Sequence, residues 1–147
     1  MSSVIIREAK YEDEDLVQQL CSRNGMRQED KAWQWIWNSN RLYDDKWPLG
    51  WVLVSNDTIV GFIGNIPRLY SYQGKNLIAG VGRAFVVDKM FRSHSLKLVA
   101  KFFSQKYADF LVFSSYPIID RIRDLMQLLN LHFPLPLYDN LFSYQFE

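Results

Sequence analysis

GVGRAFVVDKMFRSHSLKLVAKFF, residues 80–103, runs from an apolar segment through a short polar turn into an amphipathic helix. Ala84-Phe85-Val86-Val87 is continuously apolar, as a strand covered on both faces is. Beyond the turn, Leu96, Val99, Ala100 and Phe103 recur at i, i+3, i+4 and i+7, the spacing of one helical face. A turn between such a strand and such a helix aims free backbone N–H groups at one point, with the positive end of the helix dipole behind them. That arrangement is an anion site, and phosphate is its usual occupant. An ordinary strand-to-helix connection has the same local pattern, so the stretch alone leaves both readings open.

The charge around this stretch fits an anionic ligand. The whole chain of 147 residues carries a net charge of only +1, which argues against nucleic acid binding by bulk attraction. Residues 51–100 hold six Lys/Arg against two Asp/Glu, whereas residues 1–50 hold seven against nine and residues 101–147 four against five. Tyr70 and Tyr72 alternate near Arg68 and Lys75, a faint echo of an RNA-stacking sheet, but the near-neutral balance speaks against it. The single cysteine, Cys21, has no internal disulfide partner, and no CxxC or Cys/His cluster suggests a metal. The N-terminus turns acidic at once and no 18-residue apolar run exists, so the expectation is a soluble, cytoplasmic protein that neither carries a signal peptide nor enters a membrane.

Outward from residues 80–103, the remaining elements follow from period and punctuation. Val4 to Arg7 reads as a strand, and Asp13 to Cys21 as a helix with acids in its first turn and Leu16, Val17 and Leu20 on one face, broken at Gly25. Gln28 to Asn38 reads as a second helix with Trp33 and Trp37 one turn apart. Trp51 to Val54 and Thr58 to Ile66 flank Ser55-Asn56-Asp57 as a hairpin, and Leu69 to Tyr72 and Leu77 to Val87 flank Gln73-Gly74-Lys75 as the next. A helix from Ser93 to about Lys106, a strand from Phe110 to Phe113, a helix from Ile118 to Asn130 and a β-like tail broken by Pro134 and Pro136 complete one domain over residues 1–147.

The order β-α-α-β-β-β-α-β-α-β resembles the GNAT superfamily of N-acetyltransferases over essentially the whole chain. GFIGNIPRLYSYQGKN, residues 61–76, looks like the central hairpin of that superfamily, and VVDKMFRSHSLKLVAKF, residues 86–102, lies where such proteins carry their acetyl-CoA motif. That motif, [RQ]-x-x-G-x-[GA], here reads Arg92-Ser93-His94-Ser95-Leu96-Lys97, so Arg92 fits and the two small positions are Ser95 and Lys97. WQWIWNSN, residues 33–40, is similar to a Trp-rich segment before the second strand of some bacterial members. The resemblance implies an α/β (α+β) GNAT-like fold with a mixed, mostly antiparallel sheet that splays between Ala84–Val87 and Phe110–Phe113.

It also implies a co-substrate, acetyl-CoA, and an amine acceptor. Pantetheine would pair with Phe85, Val86 and Val87, and pyrophosphate would lie on the amides of Ser93, His94, Ser95, Leu96 and Lys97 beside Arg92. A glycine in such a motif serves close approach; Ser95 is small, while Lys97 either adds charge to the phosphates or blocks them. Transfer from an activated thioester needs an oriented amine, a route for its proton, an oxyanion donor and an acid for the thiolate. Val81 to Val87 holds no acid, only Arg83, so Asp88 is the nearest carboxylate and the expected base. The tyrosine that members often carry in the last helix falls here on Leu128, before His132-Phe133; Tyr116 is the substitute acid. Each has a plainer reading: Asp88 as a turn cap, Arg92 as a solvated arginine, His94 as a turn residue and Tyr116 as part of a Tyr-Pro turn.

All five tryptophans fall between Trp33 and Trp51. Trp33 and Trp37 at helical spacing read as core, while Trp47, beside Pro48 and near Asp44 and Asp45, reads as the acceptor wall with acids to attract an amine. Two functions therefore stand side by side: an N-acyltransferase, and a GNAT-like domain that binds a ligand or partner after losing catalysis. The preserved strand–turn–helix with Arg92 points to the first; Lys97, Leu128 and the acid-free strand point to the second. If the proline-broken tail makes this one half of a longer two-domain transferase, an exposed apolar sheet edge and a homodimer are expected.

Overall fold

In a computed structural model, which describes residues 3–27 and 31–113, strands β1 (Val4–Glu8), β2 (Gly50–Ser55), β3 (Thr58–Tyr72), β4 (Lys75–Val87) and β5 (Phe110–Phe113) form one sheet in chain order. The first four pair antiparallel and β5 joins β4 in parallel. This is the expected mixed, mostly antiparallel sheet. Both hairpins turn on two residues with positive φ, Asn56 and Asp57 at 47° and 59°, then Gln73 and Gly74 at 49° and 76°. Such left-handed pairs match the twist of the strands they join, which is why these residue types mark tight hairpins.

β3 is longer than its sequence suggests, because Pro67 does not end it. The β2 ladder stops at Gly50↔Gly64, and beyond it that edge of β3 has no strand neighbour among the described residues. Pro67 presents its missing N–H to that edge, and its carbonyl accepts from Asn40 Nδ2 at 3.0 Å.

Helix α1 (Glu14–Arg23), led in by a 3-10 turn over Tyr11–Asp13, covers one face of the sheet with the Trp-rich segment; helix α2 (Ser95–Ser104) covers the other. The face of α1 that is buried is Val17, Leu20 and Cys21, and Leu16 stays 43% exposed. On α2 the buried face is Leu98, Val99 and Phe102, with Leu96, Ala100 and Phe103 half-buried at its margin. Both helices carry enough apolar residues to satisfy two neighbouring stripes, and packing on the sheet selects between them. α1 ends as a Schellman motif: the Met26 N–H donates to the Cys21 carbonyl at 2.9 Å and the Gly25 N–H to Ser22 at 3.1 Å. Gly25 supplies the left-handed residue, φ 78°, that this ending requires.

The second expected helix is a π-helical turn over Gln34–Asn38, closed by the Ser39 N–H to the Gln34 carbonyl at 2.9 Å. Trp33 and Trp37 both lie buried in the α1-side core, edge to face at 5.1 Å, with Trp33 stacked on Phe62 at 5.5 Å. The helix expected over Ile118 to Asn130, the tail, and the roles assigned to Tyr116, Leu128 and His132-Phe133 lie outside the described residues. Among the described residues no helix is long and apolar enough to cross a membrane.

Candidate functional site

The site begins at the C-terminal end of β4. The described ladder with β5 runs from Ala79↔Phe110 to Gly82↔Phe113, the last described residue, and β4 continues to Val87. Against β3 the register slips at the same level: Phe62 faces Val86 and Gly64 faces Arg83, so Ala84 and Phe85 together oppose Ile63. This is a β-bulge, which leaves a residue unpaired and re-aims the strand. Ala84 carries it at φ 54°, a left-handed conformation that costs an L-residue about 1–2 kcal/mol.

The bulge changes which side chain faces which layer. Val81 and Ala84 pack with the α1-side core, and Phe85 with the α2-side core. Alternation from Val81 puts Arg83 on the α1 side too. Phe85 meets Phe113 at 5.8 Å across a notch at the end of the described ladder. Gly82 is required just below: a Cβ there would lie 2.7 Å from Phe113 Cδ2 and 3.4 Å from Phe102 Cζ.

The connection out of β4 is a 3-10 helix over Lys89–His94 that runs directly into α2. Arg92, Ser93 and Lys97 are exposed, and His94, Ser95 and Leu96 half-buried; Val86 and Val87 are buried, and Phe85 is half-buried. Sequence periodicity starts the helix at Ser93, so the 3-10 lead-in is new. One consequence is that the Ser95 amide is already engaged, donating to the Arg92 carbonyl. Nδ1 of His94 is buried with no hydrogen-bond partner among the described residues.

Asp88, expected as a base, is instead a clamp. Arg23 Nη2 lies 2.6 Å from its Oδ2 and Arg23 Nε 3.0 Å from its Oδ1, and Asn24 Nδ2 donates to Oδ1 at 2.7 Å. The Arg23 bond holds its carboxyl below the ordinary value, against the upward push of burial, and Asn24 adds to the lowering. A carboxylate so satisfied is a weak proton acceptor. Its work is to tie the end of α1 to the end of β4, which also fixes Arg23 on the Ile59 carbonyl at 2.7 Å. Arg7 and Asp13 make the matching tie at the other end of α1, at 2.7 and 2.9 Å. Cys21, between them, is pushed up to about 11 by burial and stays a thiol at neutral pH.

The acceptor wall expected at Trp47 is also corrected. Trp47 is 8% exposed, and its indole N–H donates to the Asn65 carbonyl at 2.9 Å, as that of Trp37 does at 3.0 Å. Asn65, fully buried, is the hub that sequence spacing does not reveal. Its own N–H donates to Leu49 at 2.8 Å, its Nδ2 to the Pro48 carbonyl at 3.1 Å, and its amide pairs reciprocally with Gln105 at 2.9 and 3.1 Å. Asp44 caps the local turn, accepting from the Lys46 and Trp47 amides at 2.8 and 3.0 Å. Of the five tryptophans, Trp35 is the exposed one, at 72%.

What does open beside the notch is a cleft of about 280 Å³ on the α1 side. Its floor is the cross-strand pair Ile66 and Val81, Met26 reaches it from the Schellman end of α1, and Arg68 and Arg83 line it. It runs to Gly82, Phe85 and Phe113 at the end of the described ladder. Among the described residues no carboxylate lines it. Among the described residues no cluster of His, Cys, Asp and Glu could hold a metal.

No family model matches this chain, and no curated protein matches it. Solved structures do. A GNAT family acetyltransferase from Staphylococcus aureus superposes with a TM-score of 0.54 at 22% identity, covering 78% of this chain and 87% of that one. Glucosamine-6-phosphate N-acetyltransferase from Arabidopsis thaliana gives 0.58 at 15% identity, over 83% and 88%. An aminoglycoside N-acetyltransferase in complex with CoA gives 0.52 at 14% identity, over 90% of each. At these identities the likeness is one of architecture, and with the bulged β4 it settles the fold: this chain folds as the GNAT N-acetyltransferases do.

Proposed function

We propose that this chain is an N-acyltransferase that moves an acetyl group from acetyl-CoA to a primary amine. The observation that carries the reading is the β-bulge at Ala84, which re-aims β4 just before it runs into a helical turn with exposed Arg92 and Lys97. Pantetheine lies along Phe85 to Val87, and the pyrophosphate lies toward the turn from Arg92 to Lys97, where Arg92 supplies charge.

The thioester then sits in the notch and the amine arrives through the α1-side cleft. The amine nitrogen attacks the thioester carbon, an unpaired amide of the Ala84 bulge donates to the developing oxyanion, and the C–S bond breaks to release the CoA thiolate. With Asp88 committed to Arg23 and Asn24, the amine proton leaves to solvent water in the cleft. Tyr116, beyond the described residues, is the acid assigned to the thiolate.

Calorimetry with acetyl-CoA and CoA tests the site. Micromolar binding is expected, with Arg92→Glu weakening it by about tenfold or more, since it sets a negative charge against the phosphates. Unchanged affinity in that variant refutes the placement. The saturation of Asp88 favours a second reading, a GNAT-like binding module without catalysis. It predicts CoA binding with no thiol released over an amine screen.

A further inference from the structure

We infer that the acceptor is an anionic amine, a small molecule that carries a carboxylate or phosphate beside its amino group, held between the guanidinium groups of Arg68 and Arg83. The inference rests on the transferase reading for what happens to the amine, but not for the binding of the anion.

Register fixes the geometry. Arg83 lies opposite Gly64, and Arg68 is four residues further along β3, opposite Ala79. Alternation from Val81 and Ile66 sets both arginines on the α1 face, and a rise of about 3.4 Å per residue separates their backbones by roughly 14 Å. Ile66 and Val81 form the apolar floor between them. Gly64 has no side chain to crowd Arg83. Two extended arginine side chains from the ends of such a floor close on a group of a few ångströms.

The charge balance points the same way. Arg68 and Arg83 are exposed and make no ion pair or hydrogen bond among the described residues. Four of the described acids are engaged elsewhere: Asp13 on Arg7, Asp88 on Arg23, Asp44 on its turn, and Asp109 on the Ile78 amide at 2.8 Å. An apolar floor strengthens a charge pair above it, and guanidinium forks match carboxylate and phosphate oxygens two at a time. The same positive field opposes a polycationic acceptor. It also lowers the pKa of a bound ammonium, so that more of the amine is neutral and nucleophilic where no carboxylate base lines the cleft.

The test uses matched pairs that differ in the anion alone: glucosamine 6-phosphate against glucosamine, and L-methionine against L-methioninamide. Each is titrated calorimetrically into the full chain without acetyl-CoA. The anionic member of at least one pair is expected to bind about tenfold tighter or more, less so as salt rises. In the Arg68→Gln/Arg83→Gln double variant the ratio is expected to fall to within about twofold, with acetyl-CoA affinity and melting temperature unchanged. Equal binding within both pairs, no binding by any member up to millimolar, or a preference that survives in the double variant overturns the inference. The pair that responds tells phosphate from carboxylate. Anionic amines that bind while acetyl-CoA does not defeat the transferase reading and leave this one standing; the reverse result defeats this one alone.

Discussion

Asn65 and Arg68 stand three residues apart on β3 and represent opposite uses of a polar side chain. Every hydrogen-bonding group of Asn65 has a partner within the chain: Leu49, Pro48 and Gln105 from its donors, Trp37, Trp47 and Gln105 at its acceptors. It draws the Trp-rich segment and the end of α2 onto the same point of the sheet. Arg68, with Arg83 across the cleft floor, has none of this among the described residues. Buried polar groups left unpaired are costly, so those that fold the chain are saturated by it. Exposed cations facing a cleft carry no such requirement and remain open to a ligand.

The contrast can be broken by stability measurements. Asn65→Leu strands the Pro48 carbonyl and the Gln105 amide, and denaturant unfolding is expected to show a loss of about 3 kcal/mol. Arg68→Gln and Arg83→Gln are expected to stay within about 0.5 kcal/mol of the parent. A loss at the arginines comparable with that at Asn65 would mean they too are structural.

The Arg7–Asp13 pair sharpens the same distinction through pH. Burial pushes the Asp13 carboxyl up, yet the Arg7 bonds and the Lys10 amide together hold it below its ordinary value of 3.8. A carboxylate depressed in the folded state stabilises fully above the unfolded value and loses that contribution as pH falls through the folded one. Asp13→Asn is expected to cost about 2 kcal/mol at pH 7. The gap from the parent should close as pH drops below 3.8, which melting curves from pH 7 to 3 will read. A gain, smaller than either loss at Asn65 or Asp13, belongs to the bulge. Ala84→Gly removes left-handed strain of about 1–2 kcal/mol but adds backbone entropy of about 0.5–1 kcal/mol to the unfolded chain. A net gain of up to about 1 kcal/mol is expected, seen as a melting temperature raised by a few degrees.

Local chemistry was the legible part of this molecule. Asn56-Asp57 and Gln73-Gly74 announce their hairpins because left-handed turn residues are few, and the apolar run Phe110 to Phe113 is bounded on both sides. The α1 stripe was off by one because Leu16, Val17, Leu20 and Cys21 satisfy two neighbouring faces, and only the sheet chooses. Asp88 and Trp47 were misread for a different reason. Their partners, Arg23 and Asn65, lie 65 and 18 residues away, and no periodicity connects them. Arg68 and Arg83 were each visible, but the register that sets them over one floor was not.

Chain-order pairing of the strands has a further consequence, for the order in which the fold is made. The β2–β3 and β3–β4 ladders close over two-residue loops, whereas β1 must find β2 across residues 9–49 and β5 must return to β4 through a helix. Short closures are entropically cheap and fast; long ones slow the search. The floor of the cleft, Ile66 against Val81, belongs to a hairpin and forms early. The notch beside it waits for the slow parallel strand, so a folding nucleus centred on β2, β3 and β4 would display the arginines before Phe113 arrives to border the cleft.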